Sequence, residues 1–389
     1  MKIDAMMRRE DFFEILRQTV EKYYREVRGK EGQLAYSPLP NSQKLVVNGK
    51  LNFISPTPVP PGVKIYLAGE YNLRGSGLKH LAGKAVVQAG SCLPWLGRVR
   101  TAYLTRGLLG NNAFICPQNR SIRIFDYDAM TVDCMVKQGF THRYFDNQAA
   151  FRQTYAYPFV LPMLCRGEDW FREPILLGHP LARVTDPADY RRGMEAAFAA
   201  MEQLARDTVQ QTPPGEYAAA LKHKLLPLLE QAETRKHIRR RAALAELVER
   251  CVRHILRQRL PVTTVMSHGD LQTGNIWLDE EKKTWVYDWE TAGRRSVWYD
   301  SAVLGCRLRR ADGWREFLRP EQYGAMLRLD TNRDYTAEER QAIKEIVLLE
   351  DIAFYLEDLL ELPLNWGTEI FEGFCDRILP LFAGREEEP

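Results

Sequence analysis

Apolar residues near the start of the chain recur at helical spacing. Phe12, Ile15, Leu16, Val20, Tyr23 and Tyr24, within residues 8–28, predict an amphipathic helix. Between Gly29 and Gly62 proline and glycine recur, with one strand-like run at Lys44 to Val47 and a rigid loop at SPTPVPPG. The next segment, GSGLKHLAGKAVVQAG, places Leu78, Leu81, Ala82, Ala85, Val86 and Ala89 on one face and Lys79, His80 and Lys84 towards the other. Two readings of this helix stand side by side: a helix packed on the body of the protein, which ordinary amphipathicity favours, and a membrane-surface helix with a basic face. A peripheral membrane contact is therefore left open.

From Thr101 to Leu177 the texture changes. AFIC, SIRIF, TVDCMV, PFVLPML and REPILL are short, rich in β-branched and aromatic residues, and predict strands. One helical stretch, from about His142 to Tyr155, interrupts them. After Asp186 the chain turns helical: DPADYRRGMEAAFAAMEQLARD opens with a capping signal and keeps a period near 3.6. EYAAALKHKLLPLLEQAE and RRRAALAELVERCVRHILRQ continue it, a strand-loop-strand block follows from Val262 to Trp289, and the remainder to about Phe382 is mostly helical. No internal repeat is visible. The order is an extension (1–97), a mainly β segment holding one helix (98–180) and a mainly α segment (181–389), which predicts an α+β protein with a small β lobe and a larger helical one.

Composition narrows the class. The chain has 389 residues, 45% hydrophobic and 11% aromatic, ample for a large buried core. Lys plus Arg number 54 against 51 Asp plus Glu, a net charge of +3, which gives no reason to expect nucleic acid. Cys92, Cys116, Cys134, Cys165, Cys251, Cys306 and Cys375 are scattered and form no Cys-x-x-Cys pair, so neither a disulfide framework nor a zinc knuckle is expected. The opening MKIDAMMRREDFFEIL is too charged for a signal peptide, and no stretch reaches the roughly 18 uninterrupted apolar residues of a membrane span. A cytoplasmic location is the expectation.

The chemistry concentrates in SHGDLQTGNIWLDEEKKTWVYDWE, Ser267 to Glu290. Asp270 and Asn275 are separated by a loop containing Gln272, Thr273 and Gly274. Strand-like NIWL, a charged turn from Asp279 to Lys283 and strand-like TWVYDW then predict a β-hairpin. That hairpin brings Asn275 and Asp288 to the same end, and their oxygen ligands suit a hard cation such as Mg²⁺, which takes few carboxylates. Asp270 remains to orient an attacking hydroxyl and accept its proton.

HGDLQTGN followed by DWE resembles the aminoglycoside phosphotransferase and choline kinase-like family, itself similar to protein kinases. The resemblance implies a two-lobed protein-kinase-like fold over roughly Arg98 to the C-terminus. It implies Asp270 as catalytic base, Asn275 and Asp288 as Mg²⁺ ligands, and His268 and Asp300 as structural supports of the catalytic loop. Asp300 lies in RRSVWYDSAVL, which lacks the proline that the family often carries there. A nucleotide, ATP or GTP, is the implied phosphate source. Lys137, ending the strand TVDCMV, resembles the phosphate-holding lysine of the third strand; its usual glutamate partner is missing from the following helix, where Gln148 takes that place. The backbone of FREPILLGHPLARV around Leu176 to Gly178 resembles the hinge that meets the adenine edge. The phosphate-covering loop has two weak candidates, RGLLGNNAF and the PQNR turn. GSGLK near Gly75 lacks Walker A spacing.

Two charged stretches have bland readings. RKHIRRRAALAEL reads as a solvated helix face. LLEDIAFYLEDLLELP, with Glu350, Asp351, Glu357, Asp358 and Glu361, reads as an amphipathic helix whose acids face water or, alternatively, meet a cationic substrate. The functional expectation is an ATP- and Mg-dependent phosphotransferase acting on a hydroxyl of a sugar, aminoglycoside, amino alcohol or lipid-linked sugar. The alternative is a nucleotide-binding pseudokinase or scaffold, motivated by the missing glutamate opposite Lys137. A metal-dependent hydrolase on His268, Asp270 and Asp288 ranks below both, since His142 and His179 follow no ligand spacing.

Overall fold

The computed structural model describes residues 2–71, 78–93, 95–259, 261–330, 334–362 and 367–382; Gly75 of GSGLK lies outside them. In chain order the first elements are α1 (Ile3–Arg9), α2 (Phe12–Arg28), β1 (Leu34–Ala35), β2 (Ser42–Asn48), β3 (Phe53–Pro56), α3 (Pro61–Tyr71), α4 (Leu78–Cys92) and β4 (Arg98–Thr105). Then come β5 (Ala113–Pro117), β6 (Ser121–Asp126), β7 (Thr131–Val136), α5 (Arg143–Thr154), β8 (Cys165–Arg166), β9 (Trp170–Pro174), β10 (Gly178–Pro180) and α6 (Pro187–Thr208). The second half runs through β11 (Gln210–Thr212), α7 (Pro214–Lys236), α8 (Arg241–Leu256), β12 (Val262–Ser267), β13 (Ile276–Asp279), β14 (Thr284–Val286) and β15 (Gly293–Ser296). It ends with α9 (Trp298–Gly305), α10 (Gly313–Phe317), α11 (Tyr323–Met326), α12 (Ala337–Glu361) and α13 (Thr368–Phe382). The class is α+β, with strands concentrated early and helices late.

The chain forms two compact units, one of Met1–Met194 with Gly274–Glu290 and one of Glu195–Thr273 with Thr291–Pro389. The division differs from boundaries read along the sequence because the hairpin at 274–290 returns to the first unit. That unit is built on a nine-stranded antiparallel sheet of order β1-β4-β2-β3-β5-β6-β7-β9-β8. Strand alternation sends residues two apart to the same face. Ile115, Ile122, Ile124 and Met135 thus meet Met6, Phe12, Leu16 and Val20 of α1 and α2 on one side. Phe114, Phe125 and Val132 meet Val63 and Leu67 of α3 on the other. Because both faces are covered, AFICP is buried throughout. The N-terminal segment 1–97 therefore supplies β1, β2 and β3 and helices to this sheet and its cores. Helix α3, hidden in sequence by its Pro-Gly start, uses proline where a first-turn N–H has no partner in any case.

Two expectations are corrected. The apolar face of α4 is not packed: Leu81 and Val86 are 58% and 60% exposed, while Val87 is buried. PFVLPML forms no strand, only an isolated bridge between Val160 and Val286.

In the second unit β11, β12 and β15 form a small antiparallel sheet. Helices α7, α8, α9, α12 and α13 enclose a core that includes Leu225, Val248, Trp298, Val347, Leu348 and Phe374. The sequence signals operate locally. Asp186 accepts the N–H groups of Ala188 and Asp189 at the start of α6, and Thr336 and Glu339 form a capping box on α12. The basic run Arg235–Arg241 is not one helix face. It straddles the turn between α7 and α8, where Lys236 is buried and donates to the Leu362 carbonyl at 2.7 Å.

Candidate active site

Strand β12 delivers His268, Gly269 and Asp270 into a tight loop. The buried carboxylate of Asp300, in the first turn of α9, accepts the N–H of His268 at 2.7 Å and that of Gly269 at 3.0 Å. Gly269 has φ +85°, and a Cβ there would lie 2.4 Å from the Thr291 carbonyl oxygen, so the position admits only glycine. His268 is fully buried; its Nδ1 accepts the Asp270 N–H at 3.2 Å and its carbonyl accepts the Thr291 hydroxyl at 3.0 Å.

The Asp270 carboxylate receives Arg309 Nε at 2.8 Å and Gln272 Nε2 at 2.8 Å. Arg309 was not expected from sequence. It also donates to the Gly269 carbonyl at 3.3 Å and the Tyr299 hydroxyl at 3.0 Å, ion-pairs with Asp351, and lies 3.9 Å from the Phe354 ring centroid. Asp351, completely buried on α12, further accepts the Tyr299 hydroxyl at 3.0 Å and Trp314 Nε1 at 2.9 Å. Glu350 beside it accepts the N–H and hydroxyl of Ser296 at 2.6 and 2.7 Å and the Tyr217 hydroxyl. Burial pushes the Glu350 carboxyl above its ordinary range, against those hydrogen bonds. The reading of this acidic stretch as water-facing thus fails at its first two members, which are internal anchors.

In the first unit the hairpin forms as its sequence predicts. Ile276 faces Val286, Trp277 faces Trp285, and the Tyr287 N–H reaches the Asn275 carbonyl at 2.7 Å, leaving Asn275 and Asp288 at one end. Asp288 has φ +65°, a left-handed conformation that costs a side-chain-bearing residue on the order of 1–3 kcal/mol. The following residues hold it there. Trp289 stacks on Phe151 of α5 at 4.0 Å, Asn147 donates to the Glu290 carbonyl at 2.9 Å, and Arg120 pairs with the Glu290 carboxylate at 2.7 Å.

Asn275 and Asp288 line a cavity of about 410 Å³ together with Leu176 and Gly178. Its other walls include Arg123, Phe125 and Val132 from the sheet and Tyr66 and Glu70 from α3. Gly178 is sterically required, since a Cβ would lie 2.2 Å from the Leu278 carbonyl. The Leu177 carbonyl already accepts the Glu280 N–H at 3.2 Å.

Lys137 is not brought to this cavity. It has the strand parity of Asp133 and Met135, which face α1 and α2. Its ammonium bonds Glu10 at 2.8 Å and the Asn119 carbonyl at 3.3 Å, with 1% of the side chain exposed. Its partner is therefore Glu10, from the junction of α1 and α2, and not Gln148, which is buried on α5. Burial lowers the Lys137 ammonium from 10.5 to about 8, with Glu10 pulling the other way. Between those values the unfolded chain binds more protons than the folded one, so this group makes stability rise with pH. The difference in unfolding free energy between wild type and Lys137→Met is expected to change from about pH 8 to about 10.5 and to be flat below. A flat difference throughout would mean that Lys137 titrates normally.

Of the cations lining the cavity, the largely buried one on the sheet is Arg123, on β6 directly opposite Cys134 of β7. Its sequence signal was available: counting parity from the α1-facing residues places Arg123 and Val132 on the opposite side from Lys137.

The sequence profile of the phosphotransferase enzyme family matches residues 167–342, a little under half of the chain. No curated protein matches. Among solved structures, an ethanolamine kinase from Plasmodium vivax is 12% identical, covering 70% of this chain and 80% of its own, with a TM-score of 0.46. A choline kinase from Streptococcus pneumoniae is 10% identical over 70% of this chain and 91% of its own, at 0.44. An aminoglycoside phosphotransferase from Streptomyces rimosus is 16% identical over 62% and 92%, at 0.41. What these comparisons establish is a likeness carried by the profile match: residues 167–342 are similar to the phosphotransferase enzyme family.

Proposed function

We propose that the protein transfers the terminal phosphate of ATP or GTP, with Mg²⁺, to a hydroxyl of a small molecule: a sugar, an aminoglycoside, an amino alcohol or a lipid-linked sugar. The observation that carries this reading is the single cavity shared by Asn275, Asp288, Leu176 and Gly178. An amide oxygen and a carboxylate are hard donors. Mg²⁺ takes few carboxylates and is completed by substrate phosphates and water, so one carboxylate and one amide oxygen would suffice to hold it. Magnesium, when bound, offsets phosphate charge.

The side chains then have distinct tasks. Asp270, fixed by Arg309 and Gln272, orients the acceptor hydroxyl and takes its proton as the new O–P bond forms and the bond to the leaving nucleoside diphosphate breaks. Asp300 and His268 hold the loop. The backbone at Leu176 and Gly178 meets the base. No described helix is long and apolar enough to cross a membrane; a cytoplasmic location belongs to the same reading. The scaffold alternative drew on the missing glutamate opposite Lys137; with Lys137 outside this cavity and paired to Glu10, that glutamate no longer bears on the site in either direction.

Thermal unfolding with ADP, with and without Mg²⁺, tests the site. A ligand at one hundred times its Kd stabilises the fold by about 2.7 kcal/mol. Wild type is expected to show a Mg²⁺-dependent rise in Tm that Asp288→Ala loses. No rise at millimolar nucleotide would leave a kinase-like fold without a nucleotide site here.

A further inference from the structure

Arg123 occupies an unusual position for a strand residue. It lines the cavity of Asn275 and Asp288 from β6, and its Nε is shut off from solvent without a hydrogen-bond partner. Its one hydrogen bond is from Nη1 to the Tyr287 hydroxyl at 3.3 Å, and the guanidinium lies 4.9 Å from that ring's centroid. The two other cations lining the cavity, Lys2 and Arg183, are exposed.

Charge accounting leaves Arg123 without a committed counterion. The buried carboxylate nearest in the network, Glu173, is paired with Arg152 at 2.7 Å and accepts the Tyr287 hydroxyl. Glu173 thus neutralises Arg152. Two acids lining the cavity also act on Arg123: Glu70 of α3, and Asp288, the residue assigned to magnesium above. A largely buried guanidinium with unused donors, lining the same cavity as a carboxylate that a divalent cation would neutralise, is complementary to a phosphate group. Lys137 is excluded from the task by strand parity and by its closed ion pair with Glu10.

We propose that Arg123 is the side-chain cation that holds the nucleotide's phosphate oxygens, in the role that the sequence resemblance gives to Lys137. The inference rests on the nucleotide reading of this cavity. Lys137 then serves the fold, tying the end of β7 to the junction of α1 and α2.

Calorimetric titration of Mg-ADP and of adenosine into the full chain separates the possibilities. Arg123→Met is expected to weaken Mg-ADP by roughly ten- to hundredfold, the loss of a charge-assisted phosphate contact, and to leave adenosine binding unchanged. Arg123→Lys is expected to recover part of the ADP affinity, and Lys137→Met to keep wild-type affinity for ADP below its melting temperature. Adenosine binding serves as the check that each variant is folded. If wild type binds ADP and Arg123→Met binds it equally well, or if Lys137→Met is the variant that loses ADP, the assignment to Arg123 is overturned while the nucleotide site stands. Parallel loss of adenosine and ADP in both Arg123 variants would make the residue structural and also overturn it. If wild type binds neither ligand, the nucleotide reading itself falls.

Discussion

Asp270→Asn is expected to lower kcat by roughly 10²- to 10⁴-fold, the usual range for removing a general base, with nucleotide affinity unchanged. The asparagine oxygen can still accept the Arg309 Nε–H, although the Gln272 amide loses its acceptor, so ADP titration serves as the control that the site keeps its shape. Single-turnover kinetics with a responsive acceptor, alongside ADP titration, provides the check. Equal losses of turnover and of nucleotide binding would count against Asp270 as base, because a residue confined to proton transfer leaves binding intact.

Arg309→Met is expected to be the most destabilising single change near the loop, by about 3–5 kcal/mol. The reason is Asp351. Its side chain is completely buried, and Arg309 supplies the opposite charge. Removing one member of a buried pair leaves the other ionised in a poor solvent, while Tyr299 and Trp314 supply only neutral hydrogen bonds. Urea unfolding measures the loss. The double variant Arg309→Met with Asp351→Asn is expected to be more stable than the single one, since it removes the stranded charge. A single-variant loss below about 1 kcal/mol, the level of a surface pair, would contradict this account.

The parts of the site that were legible in the sequence are local. Asn275 and Asp288 flank a short hairpin, so strand alternation and one turn suffice to place them together. The Asp300 support lies further off, and it was accessible only through family resemblance. Arg309 and Asp351 escaped because their contacts with the loop depend on how helices pack. Arg309 lies 39 residues beyond Asp270, and nothing in LLEDIAFYLED distinguishes an inward acid from an outward one when burial decides it. Lys137 shows a different failure. A lysine at the end of an apolar strand looks the same on either face of a sheet, and a one-residue difference in parity decides between the cavity and the α1–α2 side. The segment 1–97 was read as an extension because strand pairings such as Leu34 with Leu104 leave no periodic trace in sequence.

The hairpin that completes the first unit has a consequence for how the protein is made. Residues 1–194 leave the ribosome first and contain every strand of the large sheet, yet Asn275 and Asp288 arrive only after the first segment of the other unit has been synthesised. At roughly 5–20 residues per second, the sheet waits several seconds for the strands that close its cavity. During that interval the apolar residues that β13 and β14 later cover, Val160 opposite Val286 among them, have no native partner. A fragment ending at Met194 would carry Arg123 and the Leu176–Gly178 backbone without the hairpin carboxylate. The cavity thus needs both segments of the first unit, and a fragment that stops at Met194 cannot carry it.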